Sequence, residues 1–306
     1  MNEIKPGSNQ RMTLVVSFSV FLFFALMLSV PDGYVLGAAL LLFSSFYFLL
    51  AGRPVLTLSR EDKTLACLLL AVFLVSVGIF LGHGNKLRTL DLPSRYLLAI
   101  PILLLLLRVP PRMSWLWAGL VVGCVSAAAV AAWQLEWLGM PRALGFTGVI
   151  QFGDMGVMMG VLCGAGLFWS ATQGRYARQW QAALVIGMLA GLYTSIASGS
   201  RGGWLAIAPV LLLFGLAFLT RRNVKQAIGV LVVLCVGVAI LVATVPSIET
   251  RYDVAVSEVQ QYQEDRDADT SIGARLEMWR ALAQMIPQKS LLGWSVTDYR
   301  AGRERL

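Results

Sequence analysis

Repeated apolar runs of near-spanning length constrain this chain more than any other feature of its sequence. They fall at residues 12–30, 33–51, 64–81, about 92–107, 113–133, about 149–170, 180–197, 204–219 and 226–245. A helix needs about 20 residues to cross a hydrocarbon core roughly 30 Å thick. Lipid offers no water to backbone amides, so each run must satisfy its own hydrogen bonds as a helix. The predicted fold is therefore an all-α polytopic membrane protein, with about nine transmembrane helices in residues 1–245 and an extramembranous segment in 246–306. Arg95 and Pro101 interrupt the fourth run. Charged residues make up 14% of the chain, against about 25% in soluble domains, which agrees with a lipid solvent. The first run lacks a small-x-small cleavage site, and Pro31-Asp32-Gly33 turns it directly into the second. That reads as a retained helical hairpin, not a signal peptide.

The net charge of +8 is distributed as an orientation signal, so no nucleic-acid partner is expected. With the N-terminus inside, the inner segments hold Lys5, Arg11, Arg53, Arg60, Lys63, Arg108, Arg112, Arg175, Arg178, Arg221, Arg222 and Lys225. The outer connections before residue 246 hold Lys86, Arg88, Arg95, Arg142 and Arg201, giving twelve against five. That asymmetry follows the positive-inside rule and predicts a cytoplasmic N-terminus. Arg201, in Tyr193-Thr-Ser-Ile-Ala-Ser-Gly-Ser-Arg-Gly-Gly-Trp204, then faces outward between two apolar runs.

Beyond residue 245 the chain becomes polar, beginning with an acidic connection that includes Glu258, Glu264, Asp265, Asp267 and Asp269. Such a run reads as a solvated linker. Thr270 or Ser271 then caps a helix predicted to end before Pro287. Ile272, Leu276, Trp279, Ala283 and Ile286 follow a 3.6-residue period. Steps of about 100° per residue put Arg275 within that stripe and Arg280 at its edge. The helix is expected on the membrane surface or over a cavity, with Arg275 pointing inward. The stop at Gly302-Arg-Glu-Arg-Leu306, in a polar stretch with no closing span, suggests part of a longer protein.

Arginines on the face that orientation rules keep poor in them require a reason. A guanidinium grips phosphate oxygens bidentately, and at a low-dielectric interface it stabilises a diphosphate leaving group. Arg142, Arg201 and Arg275 are the principal candidates for that role. Arg88, Asp154 and Arg280 are secondary ones. For Arg88 and Arg95, snorkelling to lipid phosphates is the alternative. Arg280 also suits an ordinary surface position. Asp154, near membrane depth, is either a site residue or a partner of Arg142. His83 is the sole histidine; it has no acidic neighbour in sequence and reads as a boundary residue. The four cysteines lie inside apolar runs without CxxC spacing, so neither a zinc site nor a disulfide framework is indicated. No metal or cofactor is expected. Gly156, Gly160 and Gly164 form a small-xxx-small packing face. Ser198-Gly-Ser-Arg-Gly202 is neither a nucleophile elbow nor a P-loop.

Three segments, in order, resemble the O-antigen ligase/polymerase superfamily. They are Pro141-Arg-Ala-Leu-Gly145 with Gln151-Phe-Gly153, Ser198-Gly-Ser-Arg-Gly-Gly-Trp-Leu-Ala206, and Ser271-Ile-Gly-Ala-Arg-Leu-Glu-Met-Trp279. The resemblance covers about residues 10–306. It implies a GT-C type glycosyltransferase of about twelve spans in the bacterial inner membrane, acting at the periplasmic face. The implied reaction moves a glycan from undecaprenyl diphosphate to lipid A–core oligosaccharide, with inversion and without metal. Arg142, Arg201 and Arg275 would hold the diphosphate, and residues 246–306 would begin the large periplasmic loop. The family's periplasmic histidine matches no residue here. His83 lies in the wrong segment, so that histidine and about three closing spans are expected beyond Leu306. An O-antigen polymerase or protein O-oligosaccharyltransferase of the same superfamily differs only in acceptor. A transporter of an anionic lipid-linked substrate would show internal repeats and broken helices in corresponding halves, and no such symmetry is visible.

Overall fold

A computed structural model of the protein describes residues 6–52, 58–84, 87–200, 228–229, 232, 257–260, 262, 264, 269–289 and 293–303. All regular structure among the described residues is helical. The elements are α1 (Pro6–Leu26), α2 (Gly33–Gly52), α3 (Arg60–His83), α4 (Asp91–Arg108), α5 (Met113–Ala132), α6 (Val149–Ser170), α7 (Ala177–Ser198), α8 (Ser271–Met285) and α9 (Val296–Arg303). Short 3₁₀ or π turns cover Leu87–Leu90, Trp133–Trp137, Gly174–Tyr176 and Ile286–Lys289.

Six of the described helical stretches are long and apolar enough to cross a membrane, and Gln10–Leu26 is a shorter apolar helix. The protein is an all-α polytopic membrane protein, with fewer such spans among the described residues than the nine expected. Part of the difference is at α1, which stops at Leu26 and not at Val30. Pro31 disfavours the helical region for the residue before it, and the chain turns through Asp32, whose φ is 51°. The expected span at 204–219 lies outside the described residues, as does that at 226–245 apart from 228–229 and 232. Pro101 sits within α4 without ending it, and Arg95 pairs with Asp91 one turn earlier at 3.1 Å.

The chain divides into two compact units, Met1–Thr57 with Pro101–Leu241, and Leu58–Ile100 with Val242–Leu306. In the first, α6 and α7 make the most extensive helix contact, and α5 packs on α7, α1 and α6. The α6–α7 seam is built by the glycine repeat. A Cβ at Gly191 would stand 2.5 Å from the Gly156 carbonyl oxygen, and one at Gly160 would meet Met188 O at 3.1 Å. Gly156, Gly160 and Gly164 are all buried. Without a hydrophobic force between helices in lipid, such close approach supplies the packing energy. Leu120, Cys124, Phe152, Met159, Cys163, Leu184 and Met188 fill the surrounding core. Cys67, by contrast, is exposed.

In the second unit, Ser59 and Asp62 form a reciprocal capping box at the start of α3, and Gly84 ends the helix in the left-handed conformation. Thr270 is the N-cap of α8, its Oγ1 accepting from the Gly273 amide at 3.0 Å. Glu258, in the acidic stretch read as a linker, accepts from the Ile272 amide at 3.2 Å. That carboxylate satisfies a donor of the first helical turn and complements its dipole.

Candidate functional site

The site is assembled at the end of α7 by the loop that joins α5 to α6. After α5 the backbone widens into a π turn, with Leu138 N donating to Trp133 O at 3.2 Å. Gln134, 4% exposed, becomes the hub of the loop. Its Oε1 accepts from the amides of Leu144 and Gly145, both at 2.9 Å, and its Nε2 donates to Gly145 O at 2.9 Å. These bonds replace the water that a buried amide would otherwise lose. Gly145 has φ 55°, and a Cβ there would lie 2.3 Å from the Phe152 ring. The Pro141–Gly145 segment is thereby pinned between Gln134 and α6.

Pinned this way, Arg142 reaches α7. Its Nε donates to Ser198 O at 2.8 Å and its Nη2 to Gly199 O at 2.9 Å. The Ala143 amide donates to Ala197 O at 3.0 Å. Gly199, at φ 64°, turns its own amide back to Ile196 O and Ser195 O. The last carbonyls of α7, which have no partner within the helix, are therefore each provided with a donor. Cationic side chains suit this position, since a helix C-terminus carries about half a negative charge.

Asp154, half-buried on α6, approaches the same loop from another side. Its Oδ1 accepts from Ser200 Oγ at 2.8 Å. The sequence leaves this carboxylate as either a site residue or a partner of Arg142, and the hydrogen bond it makes here is to Ser200. The Ser200 amide donates to Ser198 Oγ at 3.2 Å, and Ser198 Oγ donates to Ser195 O at 2.7 Å. Arg142 and Asp154 thus both engage the residues that precede Arg201 in sequence, while Arg201 itself lies outside the described residues.

The remaining candidates belong to the second unit. Arg88 is exposed in the Leu87–Leu90 turn, and Arg275 and Arg280 are exposed on α8. Here the expected inward direction of Arg275 is corrected. The buried residues of α8 are Gly273, Ala281 and Met285, whereas Trp279 and Ile286 of the apolar stripe are 61% and 59% exposed. Trp294 Nε1 donates to Met285 O at 2.9 Å, and Tyr262 donates to Glu277 at 2.9 Å. These partners hold the opposite face of α8, so the stripe and Arg275 turn outward together. An exposed guanidinium remains accessible to an anion. His83 lies between two carbonyls, with Nδ1 2.9 Å from Ile79 O and Nε2 3.3 Å from Gly293 O. The Lys289 hydrogen bond and charge hold the nearby Asp298 carboxyl below its ordinary range, with a smaller contribution from His83. No group of three His, Cys, Asp or Glu side chains gathers among the described residues.

Residues 186–305 match the family model for O-antigen ligase. Over that stretch the chain is similar to the O-antigen ligase family. The matched stretch begins within α7 and contains Arg201, Arg275 and Arg280, while Arg142 and Asp154 precede it. An uncharacterized protein of Haemophilus influenzae is 25% identical over 302 residues, covering 97% of this chain and 74% of that protein. The spanning helices make this a multi-pass membrane protein, and its matched stretch supports a role of ligase/polymerase type. Gln134, Ser198 and Ser200 were not singled out from sequence. Gln134 had a usable signal, an amide closing an apolar run just before a Gly-Met-Pro loop, whereas the serines read only as turn formers.

Proposed function

We propose that the protein is an O-antigen ligase, transferring a glycan from undecaprenyl diphosphate to a sugar hydroxyl of lipid A–core oligosaccharide. The reading places the reaction at the periplasmic face of the bacterial inner membrane. The observation that carries it is the meeting of two motif segments at one helix end. The Pro141–Gly145 loop brings Arg142 onto Ser198 and Gly199, directly before Arg201. In this reading the acceptor hydroxyl attacks the anomeric carbon from the face opposite the diphosphate, with inversion. The bond from that carbon to the diphosphate oxygen breaks, and the reading assigns the departing charge to the guanidinium groups of Arg142, Arg201 and Arg275. Preorganised cations in a site of low dielectric stabilise such a leaving group without reorganising. No base for the acceptor proton is assigned.

The test is transfer from synthetic undecaprenyl diphosphate-linked glycan to purified lipid A–core by the purified protein in lipid nanodiscs. Glycan on lipid A–core supports the ligase. Extension of the donor-linked glycan instead would assign the polymerase reaction, and donor binding with neither product would favour transport.

A further inference from the structure

A carboxylate beside a diphosphate site has the wrong sign for a ligand. At about 4 Å two like charges repel by several kcal/mol under an effective dielectric near 20. Asp154 must therefore be explained by what it holds. Its Oδ1 accepts from Ser200 Oγ at 2.8 Å, a bond across 46 residues between α6 and the loop that follows α7. Ser200 is 3% exposed, so its hydroxyl has no supply of water to replace that acceptor. One residue earlier, Gly153 keeps α6 close to the same serines. A Cβ there would stand 2.1 Å from Ser198 Oγ and 2.9 Å from Ser200 Cβ. Behind this contact, the glycine seam fixes α6 against α7.

We infer that Asp154 is a positioning residue, which through Ser200 fixes the backbone leading into Arg201 and neither binds the donor nor moves a proton. The inference rests on the reading in which Arg201 holds the donor diphosphate. A hydrogen bond to an ionised acceptor is the strong kind, and a functional side chain is held best when its support is anchored to packed helices. Asparagine keeps an acceptor oxygen at the same place and loses only the charge. Alanine loses both.

The experiment compares Asp154→Ala, Asp154→Asn, Ser200→Ala and the double alanine variant, purified in nanodiscs. The first readout is amide hydrogen exchange of the peptide spanning residues 196–204, which requires no substrate. Exchange should quicken about tenfold or more in either single alanine variant. It should rise little further in the double variant, since both changes remove one interaction, and Asp154→Asn, which keeps the acceptor but loses the charge, should fall between Asp154→Ala and the unmodified protein. The second readout is affinity for undecaprenyl diphosphate, which should fall in step with faster exchange and recover in part in Asp154→Asn. Unchanged exchange in Asp154→Ala, additive effects in the double variant, or an asparagine variant as impaired as alanine would each overturn the positioning role. Failure of the unmodified protein to bind undecaprenyl diphosphate would instead remove the donor assignment, while the exchange data still decide whether Asp154 orders the loop.

Discussion

Replacing Arg142 with alanine should unfold the protein at a markedly lower temperature, beyond any effect on transfer. The side chain gives two charge-assisted hydrogen bonds, at 2.8 and 2.9 Å, to carbonyls at the end of α7. Both acceptors belong to buried residues, so their loss is not made good by solvent. Each bond contributes about 1.5 kcal/mol at the low end for charged donors, appropriate to a half-exposed guanidinium. Losing the cation at a helix C-terminus adds about 0.5 kcal/mol. The total, about 3–4 kcal/mol, is a large share of a typical folding free energy of roughly 5–15 kcal/mol. At roughly 2–4 °C per kcal/mol, Tm should fall by about 10 °C. Intrinsic tryptophan fluorescence during heating of the micelle-solubilised protein measures it. Lysine, with one point charge in place of a fork, should recover about half of the loss. An alanine variant with the Tm of the unmodified protein would refute the capping account.

Arg201→Ala and Arg275→Ala should each abolish glycan transfer while leaving membrane insertion intact, with lysine a poor substitute. Normal transfer by either alanine variant would sink the diphosphate assignment. Gly191→Ala should destabilise by about 1–3 kcal/mol, because the added carbon meets the Gly156 carbonyl at 2.5 Å. Gly78→Ala on α3, which meets nothing within 4 Å, should be neutral or slightly stabilising in the same heating experiment. Asp298 is held down chiefly by its hydrogen bond to Lys289 and then by that lysine's charge. A carboxyl depressed in the folded state stabilises above its ordinary value of 3.8 and loses that contribution as pH falls through the depressed value. Asp298→Asn should therefore show faster amide exchange in α9 at pH 7 and match the unmodified protein at the acid end. A difference that grows on acidification would contradict the sign.

The spanning helices were legible because lipid leaves the backbone few solutions. An apolar run of sufficient length between basic turns had to become α6 or α7, and three glycines four apart had to face a neighbour. What failed was decided by partners far along the chain. The hydrophobic period of α8 identifies an apolar stripe correctly, yet Trp294 and Tyr262 hold the other face. No period within 15 residues encodes which face a tertiary neighbour takes. Nor could spacing pair Asp154 with Ser200, or Arg142 with Ser198 across 56 residues. Both links depend on the glycine seam setting the register of α6 on α7. Asp154, Ser200, Arg142 and Ser198 all fall near the ends of predicted spans in the sequence, and only their pairings had to come from the fold.

The capping geometry also bears on how the diphosphate would be held. The end of α7 that Arg142 caps is a helix C-terminus, whose aligned carbonyls repel an anion. Arg142 turns two nitrogens onto those carbonyls, so much of its charge offsets the helix end and less is directed at a ligand. Asp154, engaged with Ser200, adds a negative charge to the same neighbourhood. Taken together, the α7 end, Arg142 and Asp154 leave about half a negative charge, so in this reading the net attraction for a diphosphate falls to Arg201 and Arg275. Arg142→Ala should then act on donor affinity in two ways, by unmasking the helix end and by loosening the loop before Arg201. In that reading Arg201→Ala removes a contact to the donor itself and should lower affinity with little change in Tm. Measuring donor affinity and Tm together in both variants separates these roles: affinity and stability fall together for Arg142, and affinity falls alone for Arg201.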